Sequence, residues 1–130
     1  VKVEMELSAR YAATSLHGDK LKTARRLFTK KIITSLPDVI ITSNDLIAQG
    51  IISAAHENGI NIPNDMQITG FDDLLSSAYF IPSVTTVSQN IDELAKRCFS
   101  MLMDLINKKS SVSSIIEQNI IARNSAKINI

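Results

Sequence analysis

The chain has 130 residues, 45% of them hydrophobic and 21% charged, with a formal net charge of +1. That length suits one domain, and the balance suits a folded protein rather than a disordered one. It supplies no global basic field for nucleic acid, and no apolar run approaches the roughly 18 residues that span a bilayer.

Residues 1–7 alternate apolar and polar side chains, with Val1, Val3, Met5 and Leu7 on one face, so they predict a strand near a sheet edge. The opening VKVEMELSAR has the pattern of mid-fold sequence and not of a secretory leader, so a fragment of a longer chain is expected. Residues 16–33 have helical spacing. Leu21, Ala24, Phe28 and Ile32 form one stripe, and Lys22, Arg25, Arg26, Lys30 and Lys31 fall largely elsewhere. A basic face can meet nucleic acid, but no aromatic or Gly-rich element accompanies it, so a solvated face is the simpler reading.

Val39, Ile40 and Ile41 predict a short parallel strand covered on both faces. Asn44 or Asp45 can cap the helix that follows, which runs to Asn58 and Gly59. Its residues Leu46, Ile47, Ala48, Ile51, Ile52, Ala54 and Ala55 cover more than one side. One side needs a sheet, and the other needs either the chain's own elements or a second subunit. Residues 66–71 predict the next strand, residues 74–79 a short helical segment stopped by Pro82, and residues 84–87 another strand. Ile91, Leu94, Ala95, Cys98, Leu102, Leu105 and Ile106 predict a helix over 91–106 with Cys98 in its buried stripe. A polar loop over 107–114 and a last strand within 115–122 complete the order. The alternation implies an α/β fold, a mainly parallel open sheet with helices on both faces.

Three strands exit into polar clusters: Asn44 with Asp45, Asp72 with Asp73, and Gln89 with Asn90. The C-terminal edge of a parallel sheet is where such folds bind ligands. Amides offer donors and acceptors, and a carboxylate accepts several hydrogen bonds. The set suits a neutral polyhydroxylated ligand better than a phosphorylated one, because no Gly-rich loop is present. Taken one at a time, the same residues could serve as caps and turn formers. No nucleophile motif or metal spacing appears, so an enzyme is not expected. The single cysteine and two distant histidines point to no disulfide, metal or cofactor, and to a cytoplasmic protein.

Residues 37–90, PDVIITSNDLIAQGIISAAHENGINIPNDMQITGFDDLLSSAYFIPSVTTVSQN, resemble the LacI/GalR family of bacterial transcription regulators. The likeness rests on the ND-x-x-A-x-G segment at 44–50, the NGINIPND turn, the GFDD segment and the P-x-x-TTV-x-Q segment. It implies a periplasmic-binding-protein-like sensor domain, here its C-terminal lobe plus crossover segments. The DNA-binding helix-turn-helix and most of the first lobe would lie outside the chain. It further implies a small-molecule effector, a sugar or a nucleoside, contacted by Asn44, Asp72 and Gln89, with Asp45 beside them. Ile91 stands where some members place an aromatic ring, and residues 11–17 hold the nearest candidates for a second aromatic contact. A homodimer would pair through Ala48, Gln49, Ile52 and Ser53, and through Ser76, Ser77, Phe80 and Ile81. Operator DNA would be a partner only through the helix-turn-helix, and no membrane is implied. A solute-binding protein feeding a transporter shares the fold and is the alternative.

Overall fold

The computed structural model describes residues 3–4 and 20–128. The elements are β1 (Val3–Glu4), α1 (Lys20–Leu27), β2 (Val39–Ile41), α2 (Asp45–Glu57), β3 (Gln67–Thr69), α3 (Leu75–Tyr79), β4 (Thr86–Ser88), α4 (Ile91–Ile106) and β5 (Asn119–Ile121). Most of the strand expected over 1–7, the start of the helix expected from 16, and the candidates at 11–17 fall outside the described residues.

Strands β1, β2 and β3 pair in parallel, in that order. Ile40 opposes Ile68 at the centre, and both are buried. Beyond β3 the chain continues the parallel pattern through a bridge between Thr69 and Thr85. The Gly70 N–H donates to Thr85 O at 2.8 Å, and the Asp72 N–H donates to Val87 O at 3.0 Å. Strand β4 then pairs with β5 in antiparallel register, Val87 against Ile120. The sheet expected to be mainly parallel therefore carries an antiparallel ribbon. The strand expected over 84–87 begins its ladder two residues later: Thr85 bridges to Thr69 of β3, and Thr86 starts the pairing with β5.

Helix α2 opens on Asn44, whose side chain accepts from Ile47 N at 3.0 Å. Ala48, Ile51, Ile52, Ala54 and Ala55 are all buried. One side of the helix lies on the sheet. The other is covered by α1 and its continuation, a π-helical turn over Phe28–Ile32 in which Ile33 N–H reaches Phe28 O at 3.1 Å. Ala24, Phe28 and Ile32 supply the covering stripe, with Phe28 fully buried. Gly50 permits the close approach: a Cβ there would stand 2.6 Å from the Leu21 carbonyl oxygen. Arg25 joins the two helices at the surface, donating to Ser53 Oγ and pairing with Glu57 at 2.5 Å. The second apolar side of α2 is thus satisfied within the chain.

Helix α4 has the bounds its periodicity predicts, but none of its residues is buried, and Cys98 is exposed. The expectation of a core stripe is corrected: the described residues provide no layer against that face. Among the described residues, no helix is long and apolar enough to cross a membrane.

Candidate functional site

Three strand exits meet at one edge of the sheet. The Asp45 N–H donates to Phe71 O at 2.9 Å, which sets the start of α2 beside the exit of β3. The Asp72 N–H bond to Val87 sets the exit of β3 beside β4. At this edge Gln89 Nε2 donates to Asp72 Oδ1 at 2.6 Å. Two residues 17 positions apart, from different strand exits, therefore share one short charge-assisted bond.

The backbone here is strained. Asp72 has φ 103° and Asp73 φ 52°, and Asn90, the residue before α4, has φ 51°. Asp and Asn tolerate the left-handed region better than most residues, yet each such position costs about 1–3 kcal/mol. Strain of this kind persists only where surrounding contacts over-determine it. Asp73 Oδ1 pairs with Arg123 Nη2 at 2.6 Å, and the Leu74 N–H donates to Asp45 Oδ2 at 2.8 Å, so the residues after Asp72 are tied at two points.

Asp45 lies at the centre of this bracing and is fully buried. Its Oδ2 also accepts from Ser77 Oγ at 2.6 Å, and its Oδ1 accepts from Thr86 Oγ1 at 2.6 Å. Gly70 leaves room for the carboxylate, since a Cβ at that position would stand 2.0 Å from Asp45 Oδ1. Gln49 extends the network by donating to Ser76 Oγ at 2.9 Å and Ser77 Oγ at 3.1 Å. The expectation that Asp45 meets a ligand is corrected: both of its oxygens are turned inward and occupied by donors from α3, β4 and the turn before α3.

Asn44 stands at the same edge, half-buried. Its carbonyl oxygen caps α2, so the NH2 end of its amide is the part suited to a further contact. Ile91 is 57% exposed at the first turn of α4. Among the described residues, one hollow of about 420 Å³ is bordered by Ile52, His56, Ile62, Ile81 and Pro82, and one of about 450 Å³ begins at Asn90 of the third strand exit and lies between it, Arg97 and Glu117.

The eight residues expected at a dimer interface divide in two. Ala48, Gln49, Ile52 and Ser77 are buried within the chain. Ser53 and Phe80 are half-buried, and Ser76 and Ile81 are exposed, Ile81 at 87%. Leu75 and Tyr79, each 79% exposed, extend that surface and were not among the expected residues. Arg123 was also missed. Its sequence signal is weak: it is one of two cations in a short tail, 50 residues from the Asp73 it meets.

A parallel sheet flanked by helices, with polar strand exits gathered on one rim, defines a lobe of the periplasmic-binding-protein type. A model of the periplasmic binding protein-like domain matches residues 2–126. The chain belongs to that family, as an effector-binding domain of the LacI/GalR type. The HTH-type transcriptional repressor PurR of Pasteurella multocida is 35% identical over 95 residues, which are 72% of this chain and 28% of that protein. A periplasmic binding ribose operon repressor protein from Lactobacillus acidophilus is 30% identical with a TM-score of 0.75, covering 85% of this chain and 41% of that one. A LacI family transcriptional regulator from Enterococcus faecium, solved with bound ribose, is 25% identical with a TM-score of 0.74, covering 82% and 40%. The chain spans about a quarter of the length of the curated relatives it matches.

Proposed function

We propose that this chain is the sensing part of a cytoplasmic LacI/GalR-type transcription regulator, which takes a small, neutral, hydroxyl-rich effector at the Asn44, Asp72, Gln89 rim. The observation that carries the reading is the Asp72–Gln89 bond of 2.6 Å across two strand exits on a strained turn. The Asp72 carboxylate can accept from two neighbouring hydroxyls of a sugar ring. The Gln89 carbonyl oxygen offers a further acceptor, and the Asn44 amide offers a donor. Ile91 supplies an aliphatic contact in place of ring stacking. No catalytic step is assigned to the rim. Effector binding acts on operator affinity through its different affinity for two arrangements of the regulator. Operator DNA itself belongs to a helix-turn-helix, the element named in the PurR relative.

Thermal shift of the intact protein with D-ribose, other free sugars and adenosine tests the effector class. A ligand at about 100 times its Kd stabilises by about 2.7 kcal/mol. Hydrogen bonds to a charged group contribute about 1.5–3 kcal/mol, so Asp72→Ala should weaken a true effector by about 10- to 150-fold. Undiminished binding by Asp72→Ala would move the effector off this rim.

The proposed homodimer uses exposed Ser76 and Ile81 and half-buried Ser53 and Phe80, with Ala48, Gln49, Ile52 and Ser77 packed behind them. Leu75, Tyr79 and Ile81 place three exposed large apolar side chains within seven residues, the composition of an interface centre. Ile81→Glu in the intact protein is expected to shift sedimentation from dimer toward monomer while leaving the fold intact, because the side chain already faces solvent. A dimer of unchanged strength would place the contact on another face.

A further inference from the structure

Asp72 does not hold its position alone. Its backbone and that of Asp73 both lie at positive φ, 103° and 52°. The nearest hydroxyl to the Asp73 N–H, Thr86 Oγ1, stands at a long 3.4 Å. The strong contact on Asp73 is with Arg123, Nη2 to Oδ1 at 2.6 Å, between side chains only 18% and 25% exposed. Arg123 is itself fixed on several sides. Its Nη1 donates to Val84 O at 2.9 Å, its N–H donates to Thr85 Oγ1 at 2.9 Å, and its carbonyl accepts from Thr85 Oγ1 at 3.0 Å. Just beyond it, Ser125 links β3 and the approach to β4, donating to Ile68 O and accepting from Thr85 N. The guanidinium is therefore anchored to the same stretch of chain that leads into Gln89.

We propose that Arg123 is a positioning residue for the rim: by clamping Asp73 to the Val84–Thr85 backbone, it holds the strained turn in the one form that aims Asp72 at Gln89. The clamp works through geometry and charge together. An arginine presents two donors in a fixed plane, so one can grip the backbone carbonyl while the other grips the carboxylate. The pair also neutralises Asp73. That leaves Asp72 as the carboxylate of the turn not engaged by a cation in the ion pairs described, which favours hydroxyl donors over anionic ligands at the rim. The role of Asp72 in ligand contact rests on the function proposed above, whereas the clamp is a statement about the turn alone.

The test accordingly needs no ligand. In the intact protein, NMR of the Gln89 side-chain amide reports its bond to Asp72 through slow exchange with water and a shift away from the solvent-exposed position. Asp73→Gly removes both acceptor oxygens, accommodates the positive φ of the turn and leaves the bond from Arg123 to Val84 in place. Arg123→Met keeps the packing of the stem and removes both donors. Both are expected to lose the protected Gln89 signal while their backbone spectra remain folded. Arg123→Lys and Asp73→Asn, whose amide oxygen still accepts, are expected to retain part of it. An arginine that merely stabilises the fold would lower the melting temperature without moving the Gln89 signal in the folded protein. A protected Gln89 amide in folded Asp73→Gly or folded Arg123→Met would overturn the proposal. Should Arg123→Met fail to fold, the Asp73→Gly result decides alone. Loss of sugar binding with an intact clamp, or the reverse, separates failure of the effector reading from failure of this one.

Discussion

Asp45→Ala is expected to destabilise the domain by about 3–5 kcal/mol, a large share of the roughly 5–15 kcal/mol that holds a typical domain folded. The carboxylate is fully buried and accepts from Leu74 N, Ser77 Oγ and Thr86 Oγ1. Alanine leaves three donors facing a void. An unsatisfied buried polar group costs about 1–3 kcal/mol, and two of these are hydroxyls that can turn to seek other partners, which keeps the sum below the maximum. Asp45→Asn should be much milder, about 1 kcal/mol. Its oxygen can serve Leu74 N and Ser77, while its NH2 faces Thr86, whose hydroxyl can reverse and accept. Urea unfolding of the three proteins checks this. Equal losses for Ala and Asn would mean that charge, and not donor satisfaction, holds the site. A loss below about 1 kcal/mol for Ala would mean that the network is dispensable.

The contrast between Asp45 and Asp72 shows what the sequence could and could not reveal. Both follow short β-branched or apolar strands, and both look equally suited to a ligand. What separates them is the set of donors each meets. Asp45 meets Ser77 and Thr86, 32 and 41 positions away. Asp72 meets Gln89, which the convergence of strand exits in a parallel sheet does anticipate. Local pattern gives the direction of a strand and the end at which it exits. It does not say which polar side chain at that end turns inward, because that depends on the packing of a segment read much later.

Helix α2 tells the same story from the apolar side. Its composition shows correctly that two sides need cover, but composition cannot choose between α1 and another subunit. The choice is made by Gly50, which lets α1 approach until Leu21 O lies within 2.6 Å of where a Cβ would be. Arg25, assigned from its spacing to a solvated face, in fact ties that packing to Ser53 and Glu57. The strand–helix alternation pointed to the fold and to the three polar exits, and the resemblance singled out Asn44, Asp72 and Gln89 among them. The burial of Ala48, Gln49 and Ile52 came only from coordinates.

Helix α4 is expected to make these 130 residues associate in solution. Ile91, Leu94, Cys98, Leu102 and Leu105 recur along one stripe, and Phe99, Met103 and Ile106 adjoin it, yet every one of them remains accessible. Fully burying one such large side chain is worth about 1.5–3 kcal/mol, so covering several outweighs the entropy of bringing two copies together at moderate concentration. A helix of 16 residues without tertiary cover is also near the limit of independent stability in water. Helix content and association should therefore rise together with concentration, read by circular dichroism and light scattering on the same samples. Replacing Phe99 and Leu102, 66% and 54% exposed, by lysine should uncouple the two. Lysine keeps helix propensity close to that of leucine but adds charge to the face. The double variant should lose the part of the association that α4 carries, keeping at most the contact through the Leu75, Tyr79 and Ile81 surface, with less helix than the associated parent, because its remaining helicity rests on propensity alone. Association of equal strength in the variant would assign all of it to the Leu75, Tyr79 and Ile81 surface, and would leave the exposed face of α4 as a feature the protein tolerates.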